Sequence, residues 1–166
     1  MAAGGARQGE AGFFSHGELA ASAGVLGTPE EREIVPAARV DGPRVPMTKR
    51  AFSRADLEAF AAGEPWVCFG EEGFAFTRSH TRTPRIQSGD MLFLDDVTID
   101  PTGGPWGRGY LKAVVDVTPE DWTFEGHFKN DPCMPGTLMF EGCAQAMAFY
   151  LSALGYTVER DGWRFQ

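Results

Sequence analysis

The longest apolar segment of the chain runs from Thr137 to Leu154 and would be hydrophobic on nearly every side of a helix. Pro135 and Gly136 form a turn before this segment, and Gly155 can end a helix after it. At 1.5 Å per residue the helix would be about 27 Å long. Its apolar side chains are Leu138, Met139, Phe140, Cys143, Ala144, Met147, Ala148, Phe149, Leu151 and Leu154. The pattern predicts a helix that belongs in a core.

Two polar side chains interrupt this apolar helix. Glu141 and Gln145 are four residues apart, and residues at that spacing share one face of a helix. A carboxylate among apolar side chains is costly unless it has partners or a task. Glu141 is therefore a candidate functional residue.

The segment before the long helix predicts one shorter helix and a β-hairpin. The short helix covers Phe52 to Gly63, with Ser53 and Asp56 as a capping box and Phe52 packed on Leu57. Met91–Ile99 is an apolar run that predicts a strand, and Tyr110–Val117 alternates as its hairpin partner. After the long helix, Trp163–Gln166 predicts the start of an extended segment.

The first 48 residues carry little periodicity and are rich in Ala, Gly, Glu and Pro. Three prolines lie between Val35 and Pro46, which is typical of a linker. The sequence thus predicts a linker over residues 1–48 and a folded domain over residues 49–166.

Composition excludes several classes of function. The 15 basic and 23 acidic side chains give a net charge of −8, which argues against a nucleic-acid partner. Cys68, Cys133 and Cys143 have no metal-like or redox-like spacing, so we expect free thiols in a reducing compartment and no metal. No apolar run is long enough for a membrane span, and the N-terminus lacks the apolar core of a signal peptide. We expect a cytoplasmic protein.

One cluster of motifs resembles a known family. The pattern of the β-hydroxyacyl-(acyl carrier protein) dehydratases of fatty acid synthesis is matched without a gap by His127-Phe128, Asp131-Pro132, Met134-Pro135-Gly136, Glu141 and Gln145. Asn130 stands where Gly is usual, and Glu141 stands where one branch of the family has Asp. The flanking sequences look most like the tandem dehydratase domains of microbial polyunsaturated fatty acid synthases: Thr102–Gly107, Asp121–Phe124, Glu141–Cys143, Phe149–Leu151 and Gly162–Gln166.

This resemblance implies an α+β hot-dog fold, an antiparallel sheet wrapped around a long buried helix. The chain offers two strong strands before the helix and the start of one after it, so we expect the fold to be incomplete at the C-terminus. An apolar helix on so few strands would expose much of its surface, and we therefore expect an excerpt of a longer polypeptide. Residues 1–48 are then either a linker or the tail of a preceding hot-dog domain, which Gly9–Leu19 resembles.

The resemblance also implies roles for individual residues. His127 would remove the α proton, since histidine titrates near neutral pH. Glu141, oriented by Gln145, would protonate the departing hydroxyl. Backbone N–H groups at Gly136 and Thr137 would bind the thioester oxyanion. Phe128 would contact substrate in an acyl tunnel with Phe124, Met134 and Phe140, although core packing explains these side chains equally well.

In this family the substrate arrives on the phosphopantetheine of an acyl carrier protein, and no metal or redox cofactor is needed. Each site takes residues from two hot-dogs, so the partner would be a second hot-dog domain, in a homodimer or a tandem pseudo-dimer. Arg78, Arg82 and Arg85 could receive a phosphate or an acidic carrier surface, or could simply be solvated. Cys133 lacks an obvious base, so we interpret it as an apolar filler. Alternative functions are a hot-dog thioesterase or isomerase, and a catalytically silent structural half of a pseudo-dimer.

Overall fold

A computed structural model describes residues 15–21, 42–105, 107–128, 130–158 and 161–162. The chain divides into two compact units, Met1–Ala38 and Arg39–Gln166. In the first unit, His16–Ala21 forms a short helix, α1. Most of the predicted linker and the whole of Trp163–Gln166 lie outside the described residues, so those predictions stay untested. Residues 42–48 are described, and within the second unit the Arg44 N–H donates to the Leu154 carbonyl at 2.8 Å.

The second unit contains four α-helices and three strands within its described residues. The helices are α2 (Arg54–Ala62), α3 (Pro65–Phe69), α4 (Glu71–Phe74) and α5 (Gly136–Ala153). The strands are β1 (Ala51–Phe52), β2 (Asp96–Asp100) and β3 (Tyr110–Val114). Short 3₁₀ turns cover Ala75–Ser79, Gly89–Met91 and Trp122–Phe124.

The predicted short helix and its cap are confirmed. The Ser53 N–H and hydroxyl both donate to Asp56 Oδ2 at 2.9 Å. At the other end Gly63 adopts a left-handed conformation with φ of 88°, which a side chain would disfavour. Leu57 and Phe60 on the inner face are fully buried.

The predicted hairpin forms, but its strands are shorter than expected. The sheet is antiparallel in the order β1-β2-β3, with Val97 opposite Ala113. Strand β2 begins at Asp96 rather than Met91 because Arg54 Nη1 donates to the Leu92 and Leu94 carbonyls at 2.9 and 3.2 Å. These carbonyls thus find a side-chain partner in place of a strand.

The other end of the hairpin and the first strand also differ from prediction. Strand β3 ends at Val114 instead of the predicted Val117, and Val115 and Val117 are 41% and 51% exposed. Strand β1 was not predicted, since two residues are too few to show alternation.

The long helix α5 has the predicted position and is buried on one face only. Its Phe149 is fully buried, with ring centroids 5.1 Å from Phe52 and 5.0 Å from Phe69. On the opposite face Phe140 is 74% exposed and Met147 61% exposed. Among the described residues, α5 is therefore buried on one face and exposed on the other, as expected of an apolar helix on so few strands. Phe52 of β1, Phe60 of α2 and Phe69 of α3 pack against the buried face.

Two kinds of feature are absent from the described residues. None of the described helices combines the length and the apolar character that a membrane crossing needs. Within the same residues, no three His, Cys, Asp or Glu side chains are grouped as metal ligands.

Candidate functional site

His127 lies in a tight loop between the 3₁₀ turn at Trp122–Phe124 and helix α5. The loop is closed by backbone hydrogen bonds, in which Cys133 N–H donates to the His127 carbonyl at 2.8 Å and Asp131 N–H donates to the Phe128 carbonyl at 3.1 Å. The His127–Phe128 peptide bond is cis. The two rings stack with centroids 4.3 Å apart, and Phe128 is 58% exposed.

One nitrogen of His127 is held by the backbone. Its Nδ1 lies 3.0 Å from the Cys133 carbonyl oxygen, which can only accept a hydrogen bond. In the neutral ring Nδ1 must therefore carry the hydrogen, and the lone pair resides on Nε2. This tautomer leaves Nε2 able to take a proton.

The side chain of Cys133 differs from its sequence interpretation. It is exposed, and its Sγ lies 3.5 Å from His127 Nδ1, so it is not an apolar filler. A histidine is thus nearby after all. Because the Nδ1 hydrogen points to the Cys133 carbonyl, this nitrogen has no lone pair to accept the thiol proton. The contact does not by itself activate Cys133 as a nucleophile.

Glu141 is held by Gln145 on helix α5. Gln145 Nε2 donates to Glu141 Oε1 at 3.0 Å and to the Met91 carbonyl at 2.7 Å. Gln145 Oε1 accepts the Phe93 N–H at 3.0 Å, which fixes which end of the amide is the donor. The Gln145 side chain is only 2% exposed. One oxygen of Glu141 is therefore oriented, and the other has no hydrogen bond to any residue that the structure describes.

Helix α5 starts at Gly136, with Pro135 as the residue before it. The Pro135 carbonyl accepts the N–H groups of Leu138 and Met139 at 3.0 and 3.1 Å. The N–H groups of Gly136 and Thr137 belong to the first turn and have no acceptor inside a helix. A Cβ at Gly136 would meet nothing within 4 Å, so the space beside this turn is open.

A cavity of about 640 Å³ lies between helix α5 and the segment 80–87. From α5 it is lined by Glu141, Ala144, Gln145 and Ala148. The facing wall consists of residues 80–87, with Ala62 and Gly63 beside it. The structure thus brings together Glu141 and Gln145. His127, Phe128, Gly136 and Thr137 are not among the lining residues of this cavity.

The three candidate arginines separate into two groups. Arg78 pairs with Glu71, and its guanidinium lies 5.1 Å from the centre of the Trp66 ring. Arg82 and Arg85 instead line the cavity of Glu141. The backbone beneath them is fixed by Asp161, which accepts the Arg82 N–H at 2.9 Å and the Thr81 hydroxyl at 2.8 Å. The backbone hydrogen bonds from Arg82 and Thr81, followed by the Thr81 hydroxyl, lower the pKa of Asp161 to about 2.

The expected acyl tunnel is only partly represented. Met134 lines a second cavity of about 480 Å³ together with Trp122 and several aspartates. Phe124, Phe128 and Phe140 line neither of the two cavities, and Phe140 is largely exposed. A role for these aromatic side chains in substrate binding stays a prediction.

Sequence reasoning missed the backbone partners of the candidate residues. The Cys133 carbonyl that holds His127, and the Met91 and Phe93 groups that hold Gln145, carry no side-chain signal. The wall of the cavity did leave a signal. Pro84 and Ile86 are buried while Arg85 and Gln87 are exposed, which is the period-two pattern of an extended segment.

Comparison with protein families identifies the segment that carries this site. Residues 86–166 match the family model of the FabA-like domain. The match includes His127, Glu141 and Gln145 with their backbone partners, and it leaves out Arg82 and Arg85. It implies the hot-dog fold, with which the observed α+β arrangement of helices and a three-stranded antiparallel sheet is compatible. The match of residues 86–166 supports the β-hydroxyacyl-(acyl carrier protein) dehydratase family, and with it a dehydratase- or isomerase-type function.

Proposed function

We propose that this chain is a 3-hydroxyacyl-(acyl carrier protein) dehydratase domain that acts in fatty acid synthesis in the cytoplasm. Its substrate is a 3-hydroxyacyl thioester carried by an acyl carrier protein, and its product is the trans-2-enoyl thioester. The chemistry needs no metal or redox cofactor, since only protons and one water move. Within this class, we propose a domain of a polyunsaturated fatty acid synthase, on the basis of the flanking sequences described above.

The proposal rests on one observation. In each candidate side chain one polar atom is held by a hydrogen bond, and the second polar atom has no partner among the described residues. His127 is held through Nδ1, which leaves Nε2 as a base. Glu141 is held through Oε1, which leaves Oε2 as an acid. A base and an acid of this kind are what the elimination of water requires.

The reaction follows from these roles. His127 Nε2 takes a proton from C2 of the substrate, and negative charge develops on the thioester oxygen. The N–H groups of Gly136 and Thr137, at the positive end of the α5 dipole, stabilise that charge. The electron pair then forms the C2–C3 double bond while the C3–O bond breaks. Glu141 gives its proton to the leaving hydroxyl, which departs as water. The proton on His127 then returns to Glu141 through solvent, which restores both side chains for the next turnover.

We propose that each complete site takes its base and its acid from two hot-dog domains. What supports this is that His127 is not among the residues lining the cavity of Glu141. The exposed apolar face of α5, with Phe140 and Met147, offers a surface for such a partner. The partner is a second copy or a neighbouring domain of the same polypeptide.

The experiment follows a pantetheine-linked 3-hydroxyacyl substrate by mass. It uses the whole chain, alone and together with the proposed partner domain. Loss of one water is expected, and His127→Ala and Glu141→Gln should each reduce turnover by about 100-fold or more. His16→Ala and Glu125→Gln are the matched controls, because both side chains are exposed and lie outside the candidate site. Undiminished water loss in the His127→Ala variant would refute the assignment.

One alternative keeps a specific observation in its favour. A catalytically silent structural half would also separate His127 from the cavity of Glu141. It predicts a folded protein in which neither the wild type nor any variant releases water. Release of free pantetheine thiol, in place of water, would indicate the thioesterase alternative.

A further inference from the structure

The cavity of Glu141 has one strongly basic wall, residues 80–87. This wall carries the side chains of His80, Arg82 and Arg85, while Glu141 is the only carboxylate among the residues lining the cavity. Arg82 and Arg85 precede the segment that matches the FabA-like domain, so the family match assigns them nothing. Their position beside the candidate acid calls for a separate explanation.

The two guanidinium groups are uncommitted within the described residues. Arg50, Arg54 and Arg78 each pair with a carboxylate. No ion pair joins Arg82 or Arg85 to any residue in the described ranges. Asp161 lies next to Arg82 in the fold, but its two carboxylate oxygens accept hydrogen bonds from the Arg82 backbone N–H and the Thr81 hydroxyl and not from the Arg82 guanidinium.

The backbone of the basic wall is fixed, although its arginine side chains are exposed. Thr81 and Arg82 are held by Asp161, and the Gly162 N–H donates to the Arg82 carbonyl at 3.0 Å. On the other side of Arg85, Ile86 is 5% exposed and belongs to the hydrophobic core. A site on a fixed backbone loses less conformational entropy when a ligand binds.

From this geometry we propose that Arg82 and Arg85 form a phosphate-binding subsite in the cavity of Glu141. The planar guanidinium group matches phosphate oxygens with paired N–H donors, and two such groups suit a dianionic or diester phosphate. The phosphate is either part of the arm that carries the acyl chain or a free phosphate ion. The first case rests on the proposed function, since it places the carrier arm of that same substrate against the basic wall.

The test measures binding rather than turnover. Dissociation constants are determined by calorimetry for a 3-hydroxyacyl pantetheine thioester and for its 4′-phosphorylated form, with the whole chain. In the wild type the phosphorylated ligand should bind about tenfold tighter or more, as expected for charge-assisted hydrogen bonds. In R82Q/R85Q the ratio of the two constants should approach one. The unphosphorylated ligand should bind the double variant and the wild type alike.

Arg78→Gln is the matched control. It removes one guanidinium charge from the same part of the chain, but Arg78 is engaged with Glu71 and Trp66 and does not line the cavity. This variant should keep the wild-type ratio. Circular dichroism melting curves verify that each variant is folded.

A third measurement uses inorganic phosphate to distinguish the two sources of phosphate, the carrier arm and the free ion. If the ratio of constants is lost in R82Q/R85Q, the subsite binds the phosphate of the carrier arm. If the ratio is near one in the wild type but inorganic phosphate binds to the wild type and not to R82Q/R85Q, the subsite binds the free ion. If the double substitution changes neither measurement, the subsite does not exist.

These outcomes are independent of the proposed reaction. A protein that releases no water from any substrate, yet distinguishes the phosphorylated ligand through Arg82 and Arg85, would refute the dehydratase and leave the subsite. A protein that releases water from both substrates, and whose affinities for both thioesters and for inorganic phosphate are the same in R82Q/R85Q as in the wild type, would keep the dehydratase and refute the subsite.

Discussion

Gln145 is the residue on which the geometry of the candidate acid depends. Its amide uses both N–H groups and its oxygen, so Glu141, the Met91 carbonyl and the Phe93 N–H are all connected through one buried side chain. A carboxylate on an otherwise apolar helix can therefore keep one orientation. This arrangement links the packing of α5 to the chemistry proposed for its polar face.

Replacement of Gln145 by Leu should lower both stability and activity. The substitution keeps the size of the side chain but leaves the buried Phe93 N–H without an acceptor, which should cost about 2 kcal/mol in the free energy of unfolding. Urea denaturation measures this loss, and the water-elimination assay should show reduced turnover because Glu141 is no longer oriented. Met147→Leu is the control, since Met147 is 61% exposed on the same helix and should change stability by less than about 0.5 kcal/mol. Equal stabilities of the two variants would contradict this account.

The sequence identified side chains at the candidate site but not the groups that hold them. His127, Glu141 and Gln145 stood out because a basic or polar side chain in an apolar or aromatic setting is unusual. The carbonyl of Cys133 could not stand out, because every residue has a carbonyl group and only the fold decides which one meets Nδ1. Arg82 and Arg85 were visible as charges, but their separation from Arg78 depends on which side chains face the cavity.

At the level of secondary structure, helix α2 shows which local signals are sufficient. Its cap depends on residues within one turn of each other, and the predicted Ser53–Asp56 pairing forms. The limits of β2 were predicted less well, because they depend on Arg54, which lies about forty residues away in sequence and binds the Leu92 and Leu94 carbonyls. Elements set by neighbours in sequence were predictable, and those set by distant partners were not.

The cap of α2 also predicts a pH dependence of stability. Partial burial of Asp56 opposes its ionisation, but hydrogen bonds from Lys49 and Ser53 prevail and lower its pKa below the usual value of 3.8. A carboxyl group with a lowered pKa in the folded state stabilises the protein above its unfolded-state pKa, and this contribution is lost as the pH falls through the folded-state value. The wild type should therefore exceed Asp56→Asn in stability by about 1 kcal/mol at neutral pH.

Urea denaturation of both proteins from neutral pH down to about pH 3 measures that difference. The gap between them should be constant at neutral pH and should narrow below the usual carboxyl pKa. Glu58→Gln is the matched control, because the Glu58 side chain is 61% exposed and pairs with Arg54 only at the surface. A gap that stays constant down to the acid end of the range would show that the charge of Asp56 does not stabilise the cap.

The molecule as a whole combines a closed core with one open apolar face. Phenylalanine rings from β1, α2, α3 and α5 pack together around Phe149, so these elements hold each other. The outer face of α5 takes no part in this core, and Phe140 and Met147 remain exposed. We therefore expect the core of the second unit to become exposed only when the whole unit unfolds. The outer face of α5, in contrast, is accessible to a partner in the folded state.

The reactivity of the three cysteines can test whether the core is closed, because one cysteine is buried and two are exposed. Burial, followed by the charge of Asp56, raises the pKa of the Cys68 thiol, whereas Cys133 and Cys143 are exposed. A thiol-reactive disulfide reagent should therefore label two cysteines rapidly in the native protein and the third only when the core opens. A Cys133→Ser/Cys143→Ser variant isolates Cys68, and at high reagent concentration its labelling rate equals the rate of opening.

If Cys68 reacts as fast as the exposed thiols do, the core is not closed in the isolated chain. If adding the proposed partner domain then slows that reaction, the partner stabilises the closed core.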